Sequence, residues 1–214
     1  MLPDPSAIRS IVFDLDGTLY ACPQIAAEIE RAAVALVAAT RGVDFASGRD
    51  LLNRARRRLS EMREEDATLS QTCLALGIEL PDFHRALQEG VHPERYLEYD
   101  GVLVALLDSL SEHCALYVYT NNNLALTHKI LALLGIQPLF SRIYTIEFTG
   151  RPKPDKEAFF QVLDDIGGAP ESFLFVGDRE AVDLRVAAAQ GCPTLLVRET
   201  ADLLQIHKHL GLIP

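Results

Sequence analysis

The sequence has no tryptophan, only two methionines and four cysteines, and no long uninterrupted hydrophobic run. A membrane-spanning helix needs about 18 or more consecutive apolar residues, so we expect none here. The cysteines form no CxxC pair and no histidine cluster accompanies them, so we expect neither a zinc site nor a disulfide framework. Residues 1–10 lack a basic stretch followed by an apolar one, so no secretion signal is expected. We therefore expect a cytoplasmic protein with buried, reduced thiols at Cys22, Cys73, Cys114 and Cys192.

Basic residues are also scarce, with 20 Lys and Arg against 30 Asp and Glu, for a net charge of -10. A general binder of nucleic acid polymers needs the opposite sign. A phosphate substrate is still compatible with this charge if the protein holds a local cation. The 214 residues, 49% hydrophobic and 23% charged, fit an ordinary globular protein with one α/β domain or a core plus a small second domain.

The first part of the chain contains a single candidate strand followed by helices. Ile11, Val12 and Phe13 form a short apolar run that ends at Asp14, as buried parallel strands commonly do. After it, the pattern predicts only helices, at 26–39, 48–61, 66–76 and 81–88.

From about residue 95 onward, short apolar runs alternate with amphipathic segments. The pattern predicts strands at 115–119, 142–146, 173–176 and 194–197, and helices at 102–110, 124–134, 156–166, 181–190 and 201–209. This alternation is typical of βαβ units with a parallel sheet. We therefore predict an α/β fold with a Rossmann-like parallel core formed by residues 1–19 and 95–214. Residues 20–94 are then an inserted α-helical cap domain over that core.

Polar residues directly follow three of the predicted strands, and another lies in the loop after a fourth strand. Ligands bind beyond the carboxyl ends of the strands in open parallel sheets, so these residues are expected to meet at one edge. They are Asp14, Asp16, Thr120, Asn121, Lys153, Asp178 and Asp183.

Four carboxylates in one crevice repel one another, and a hard divalent cation such as Mg²⁺ relieves that repulsion. Lys153 adds a second positive charge, and Thr120 offers a hydroxyl near a predicted helix N-terminus, which suits an anion. These groups together favour phosphoryl transfer. One carboxylate can act as the nucleophile, and another can give a proton to the leaving group.

Four motifs of this chain resemble those of the haloacid dehalogenase-like hydrolase superfamily, in the same order. They are Asp14-x-Asp16-Gly17-Thr18, Thr120-Asn121, Lys153-Pro154 and Gly177-Asp178 with Asp183. The helical insertion after the first motif resembles the members with a helical cap, subfamily I. The resemblance covers the whole chain, and it implies an enzyme that hydrolyses phosphoric monoesters.

The resemblance also implies roles for the individual residues. Asp14 would be the nucleophile and a Mg²⁺ ligand, and Asp16 the general acid and base, with its backbone carbonyl on the metal. Thr120 and the backbone of Asn121 would hold the phosphate, while Lys153 would neutralise both phosphate and nucleophile. Asp178 would bind Mg²⁺ directly, and Asp183 would support it through water or through Lys153.

The substrate implied is a small phosphorylated metabolite. Asp16 favours phosphate esters, because similar dehalogenases carry Tyr at this position. Tyr20 resembles pyrimidine 5′-nucleotidase-like members, which slightly favours a nucleoside monophosphate over sugar phosphates and phosphoglycolate. Alternatives are a phosphomutase similar to β-phosphoglucomutase and a non-catalytic binding module. Arg179 departs from the family, where Ser is common. We expect a monomer or homodimer.

Overall fold

The computed structural model describes residues 7–212 of the chain. The expectation of no secretion signal concerns residues 1–10, of which 1–6 lie outside the described residues. The predicted core domain likewise includes residues 1–6 and 213–214, which lie outside them.

Within the described residues, five strands form one parallel sheet in the order β3-β2-β1-β4-β5. The strands are β1 (Ser10–Phe13), β2 (Ala115–Tyr119), β3 (Arg142–Tyr144), β4 (Phe173–Gly177) and β5 (Thr194–Leu196). All four residues of β1 are buried, because β1 lies in the middle of the sheet between β2 and β4. The predicted α/β fold with a parallel Rossmann-like sheet is therefore confirmed.

Ten α-helices accompany the sheet in the part of the chain that the structure describes. Four belong to the insertion, namely α1 (Pro23–Arg41), α2 (Phe45–Arg63), α3 (Leu69–Ala75) and α4 (Leu80–Gly90). The others alternate with the strands, namely α5 (Gly101–Ser111), α6 (Leu124–Leu134), α7 (Ile146–Thr149), α8 (Lys156–Ile166), α9 (Arg185–Ala189) and α10 (Gln205–His209).

The chain divides into two compact units. The α/β unit runs to Ala21 and resumes at Leu97, and the helical unit is Cys22–Tyr96. Each junction lies two residues after the boundary expected from the sequence. In the helical unit, α1 packs against α2 and α4. In the α/β unit, a core of aromatic and aliphatic residues that includes Phe159, Phe173 and Phe175 packs between the sheet and its helices.

Two predicted elements are shorter in the structure. The strand predicted at 142–146 ends at Tyr144, because the chain continues directly into α7. The helix predicted at 66–76 begins only at Leu69. Thr68 is its N-cap, since its hydroxyl accepts the Gln71 N–H while the Gln71 side chain accepts the Thr68 N–H.

The last two predicted helices begin with a different type of turn. The helix predicted at 181–190 starts as a π-helical turn, Glu180–Leu184, before α9. The helix predicted at 201–209 starts as a 3₁₀ turn, Thr200–Leu204, before α10. Hydrophobic periodicity alone does not distinguish these turns from α-helix, because they differ by one backbone hydrogen-bond register.

Cysteine burial follows the sequence expectation at three of four positions. Cys73, Cys114 and Cys192 are buried, whereas Cys22 is half-buried, which corrects the prediction for that residue. Cys22 differs because it directly precedes α1 at the junction between the two units. Among residues 7–212, no helix is long and apolar enough to span a bilayer.

Candidate active site

The carboxyl ends of β1, β2 and β4 bring the predicted polar residues to one edge of the sheet. Asp14 follows β1, and its N–H still donates to Val176 O in β4 at 2.8 Å. Thr120 follows β2, and its N–H donates to Tyr144 O in β3 at 2.9 Å. The sheet hydrogen bonds thus continue one residue past each strand and fix the backbone positions of both side chains.

Lys153 connects the groups at this edge. Its Nζ donates to Asp14 Oδ1 at 2.6 Å, to Asp183 Oδ1 at 2.6 Å and to Tyr119 O at 2.9 Å. These are the three hydrogen bonds that an ammonium can donate. Burial alone lowers the pKa of Lys153, but the two carboxylates raise it by more, so the side chain is a permanent cation.

The surroundings of Asp14 disfavour the ionised form of its carboxyl group. Burial and repulsion by Asp183 raise its pKa to about 7, against the opposing attraction of Lys153 and Arg179. The Thr18 hydroxyl donates to Asp14 Oδ2 at 3.2 Å. A single ammonium and one hydroxyl therefore leave this carboxylate short of positive charge, and a further cation beside it would favour the ionised form.

Three carboxylates form a group that fits a metal ion. One oxygen each from Asp14, Asp178 and Asp183 lies within 4.8 Å of the others. Asp178 Oδ1 is buried and accepts no hydrogen bond from the described residues. A buried carboxylate oxygen without a donor is costly, and hard oxygen ligands of this kind suit Mg²⁺. The donor set therefore fits the predicted cation.

Asp183 is held by the protein on both of its oxygens. Oδ1 accepts from Lys153, and Oδ2 accepts from the Arg179 N–H at 3.1 Å. The π-helical turn carries Asp183 back against Gly177, where a Cβ would lie only 2.5 Å from the Asp183 Cβ. One oxygen of Asp183 thus orients Lys153, while the other is fixed by the backbone at the start of its own turn.

The Asp16 carboxylate does not belong to the group formed by Asp14, Asp178 and Asp183. Its Oδ1 accepts from the Tyr20 hydroxyl, and its Oδ2 accepts from Asn122 Nδ2 at 3.2 Å. Burial raises the pKa of Asp16, and the hydrogen bonds from Tyr20 and Asn122 oppose that rise. The family resemblance implied that the backbone carbonyl of Asp16, not this carboxylate, binds the metal.

Gly17 lets the chain pass close to the carboxylate of Asp178. Its φ of 91° is one that residues with a side chain rarely adopt. A Cβ at this position would overlap the carboxylate of Asp178. The glycine between Asp16 and Thr18 is thus required by both backbone conformation and space.

Thr120 and Asn121 lie beside Lys153, with different functions for their side chains. Thr120 is 1% exposed, and its Oγ1 accepts the Asn122 N–H at 3.1 Å. The Asn121 amide accepts the Lys153 N–H at 2.6 Å and donates to Lys153 O at 3.2 Å. The side chain of Asn121 thus fixes the backbone of the loop that carries Lys153.

Arg179 provides a second cation next to the carboxylates. Its Nε lies 3.7 Å from Asp178 Oδ1 and 3.9 Å from Asp183 Oδ2, and its side chain is 43% exposed. Burial lowers the pKa of Arg179, but the surrounding carboxylates raise it by more. The guanidinium therefore stays charged and accessible to solvent.

The hydrogen bonds of Tyr20, Asn121 and Asn122 could not be predicted from the sequence. The partners of Asn121 and Asn122 are distant in sequence, and the contact of Tyr20 with Asp16 depends on the conformation of a turn. The one available indication was the spacing of Tyr20, four residues after Asp16 and directly behind the glycine turn.

Comparison with known proteins agrees with this geometry. The model of a family described as haloacid dehalogenase-like hydrolase matches residues 8–191. The phosphoglycolate phosphatase of Salmonella choleraesuis is 31% identical over an alignment that covers 88% of this chain and 80% of that protein. A HAD phosphatase structure from Thermococcus onnurineus covers 95% of this chain and 98% of its own, with a TM-score of 0.62 at 17% identity. A magnesium-bound HAD-hydrolase structure from Bacillus subtilis covers 94% and 99%, with a TM-score of 0.56 at 22% identity.

Proposed function

This chain belongs to the haloacid dehalogenase-like hydrolase family and is one of its phosphatases; we propose that it hydrolyses a small phosphate monoester through a phosphorylated Asp14. The observation that carries this proposal is the buried contact of Lys153 Nζ with Asp14 and Asp183, at 2.6 Å each. A fixed ammonium beside a carboxylate suits a reaction in which that carboxylate approaches an anionic phosphate.

The reaction proceeds in two steps. In the first, an oxygen of Asp14 forms a bond to phosphorus, the bond from phosphorus to the ester oxygen breaks, and Asp16 gives its proton to that oxygen. In the second, water attacks the phosphorus, the bond to Asp14 breaks, and Asp16 takes the proton from the water. Both carboxylates return to their initial states, and the products are an alcohol and inorganic phosphate.

The phosphate is held by groups that surround Asp14. The Thr120 hydroxyl and the backbone N–H of Asn121 donate to its oxygens, and Lys153 balances its charge. The Thr120 oxygen accepts the Asn122 N–H, and a hydroxyl in that position can still donate its own proton to a phosphate oxygen. These donors are fixed before the substrate arrives by the sheet and by the hydrogen bonds between the Asn121 side chain and the Lys153 backbone, so little reorganisation is needed.

Mg²⁺ is the metal that the donor set fits. Asp14 and Asp178 would hold it through carboxylate oxygens and Asp16 through its backbone carbonyl, with Asp183 acting through Lys153. When bound, the cation supplies positive charge for the phosphate oxygens. The buried Asp178 Oδ1 without a donor supports this assignment, as does the magnesium-bound state of the Bacillus subtilis relative.

The proposed substrate is a small phosphorylated carboxylic acid of the phosphoglycolate type. The relative at 31% identity is a phosphoglycolate phosphatase. The half-exposed Arg179 guanidinium offers a partner for a second anionic group, since Arg pairs well with carboxylates. This order of preference differs from the nucleoside monophosphate favoured by sequence analysis, which stays a prediction.

The test is release of inorganic phosphate from a panel of esters, with Mg²⁺ and with EDTA. The panel contains phosphoglycolate, a nucleoside monophosphate and a sugar phosphate. We expect release only with the metal and the highest kcat/KM for phosphoglycolate. Release unaffected by EDTA contradicts the metal assignment, and no release from any ester contradicts the hydrolase. Conversion of a sugar phosphate into its isomer without phosphate release indicates a mutase.

Asp14→Asn tests the nucleophile in the same assay. An amide cannot form the acyl phosphate, so we expect kcat to fall at least about 10³-fold with an unchanged circular dichroism spectrum. Asp108→Asn is the matched control, because Asp108 is exposed on α5, away from the sheet edge. A folded Asp14→Asn variant with the activity of the control would disprove the assignment.

A further inference from the structure

The chain folds back on itself immediately after Asp16. The Gly17 N–H donates to Tyr20 O at 2.9 Å, and Asp16 and Tyr20 form an isolated β-bridge. This turn places the Tyr20 side chain, which is 7% exposed, against the Asp16 carboxylate. The Tyr20 hydroxyl donates to Asp16 Oδ1. The turn therefore supplies a partner for one oxygen of Asp16.

The other oxygen of Asp16 is held by a separate segment of the chain. Asn122, after β2, donates from Nδ2 to Asp16 Oδ2 at 3.2 Å. The amide orientation follows from a second contact, since Asn122 Oδ1 accepts the Asn123 N–H at 3.1 Å. Asn122 is 5% exposed, and its own N–H donates to Thr120. Its side chain is thus fixed at both ends.

We infer that Tyr20 and Asn122 are positioning residues, which orient the carboxyl group of Asp16 for transfer of its proton to the leaving oxygen. The inference rests on the proposed function, because it gives this pair a purpose only if Asp16 is the acid and base. Because each oxygen of Asp16 accepts a hydrogen bond from a different residue, both the rotation and the position of its carboxyl group are fixed. Proton transfer is sensitive to such orientation, because donor and acceptor must lie within hydrogen-bond distance.

The consequence is a dependence on the leaving group. When the ester oxygen leaves as a poorly stabilised anion, the proton from Asp16 contributes about 10²–10⁴-fold to the rate. Phenoxide, the leaving group of phenyl phosphate, is such a poorly stabilised anion. The two nitro groups of 2,4-dinitrophenoxide stabilise its charge, so that this group leaves without a proton. Loss of orientation should therefore slow the first turnover of phenyl phosphate much more than that of 2,4-dinitrophenyl phosphate.

The experiment compares Tyr20→Phe with wild type in the first turnover, with Mg²⁺ present and enzyme in excess over each aryl ester. Phenylalanine keeps the ring and removes only the hydroxyl. We expect the rate constant for phenyl phosphate to fall about 10-fold or more and that for 2,4-dinitrophenyl phosphate to change less than about threefold. Asp16→Asn should show the same selectivity with a larger loss.

Two further variants keep the test decisive. Tyr117→Phe removes a hydroxyl from β2 within the same unit and should leave both rate constants unchanged. Asn122→Ala should reproduce the selectivity of Tyr20→Phe, and it is judged by the ratio of the two rate constants in case its folding is impaired. An equal fall on both esters, or no fall on phenyl phosphate, overturns the inference. Wild-type enzyme that turns over neither ester with metal contradicts the proposed function instead.

Discussion

The charges at the sheet edge do not balance within the protein. Asp14, Asp178 and Asp183 carry three negative charges and Lys153 carries one positive charge, which leaves two uncompensated, or one if Arg179 is included. Buried charges of one sign are costly unless they are paired. Such an excess of carboxylates is therefore expected where a divalent cation binds.

The metal-free protein should lose stability as the pH rises, through Asp14. Its folded pKa of about 7 lies above the ordinary value of 3.8, so the native state binds the proton more tightly. Its contribution is fully present below about pH 4 and is lost as the pH rises towards 7. We expect the free energy of unfolding of wild type, measured with urea in EDTA, to fall relative to that of Asp14→Asn between these pH values.

Mg²⁺ provides the complementary measurement. At pH 7.5 the cation stabilises the ionised carboxylates and binds only the native state, so it should raise the urea midpoint of wild type. The increase should be smaller in Asp14→Asn, which lacks one ligand. Parallel pH curves for the two proteins, or equal responses to Mg²⁺, would show that Asp14 is not the group under strain.

Among the helices, α1 carries a buried carboxylate that no hydrophobic pattern predicts. Glu28 is 3% exposed, and its oxygens accept the His92 N–H at 2.7 Å and the Tyr96 hydroxyl at 2.9 Å. Arg31 and Arg95 lie 3.3 and 3.7 Å away. Burial raises the pKa of Glu28, but these partners lower it by more. This carboxylate thus ties α1 to the segment that ends the helical unit.

Glu28→Gln should destabilise the helical unit. The amide keeps the size of the side chain but loses the charge, and its NH₂ group faces donors where an oxygen was. We expect a loss of about 1–3 kcal/mol in the free energy of unfolding at pH 7. Glu30→Gln on the exposed side of α1 is the matched control, with an expected change within about 0.5 kcal/mol. Equal values for the two variants in urea unfolding would contradict a structural role for Glu28.

The order of the elements was predictable, whereas several of their ends were not. β2, α6 and α8 have the predicted bounds, because strong apolar periodicity coincides with Asn123, Asp155 and Gly135 as caps. The π-helical turn at Glu180–Leu184, which contains the Asp183 that contacts Lys153, was not predictable from the pattern. A hydrophobic pattern shows which face of a helix is buried. It does not show whether a turn has α- or π-helical hydrogen bonds, and so it does not show where a side chain such as Asp183 is placed.

For the whole molecule, parallel topology made the meeting of distant motifs predictable. Asp14 and Lys153 are far apart in sequence, yet both follow strands whose carboxyl ends share one edge. The hydrogen bonds to Asp16 from Tyr20 and Asn122 were not predictable, because they depend on side-chain directions within turns. Sequence thus indicates which residues gather, while the structure is needed to see which atoms orient them.

Thiol reactivity samples the packing of both units in one measurement. Burial raises the pKa of Cys73 to about 12 and, with Glu171, that of Cys192 to about 11, and it also raises the pKa of Cys114. Buried thiols that stay protonated react slowly, since the thiolate is the nucleophile. Cys22 is half-buried and therefore accessible. We expect a disulfide reagent such as DTNB to modify one thiol per native chain and all four after denaturation.

Cys22→Ser identifies the reactive thiol. This variant should show no fast reaction in the native state and three thiols after denaturation, because its remaining cysteines all lie in packed interiors. Fast reaction of a second thiol in the native wild type would show that one unit opens readily. Limited proteolysis then distinguishes opening of the helical unit, which contains Cys73, from opening of the α/β unit, which contains Cys114 and Cys192.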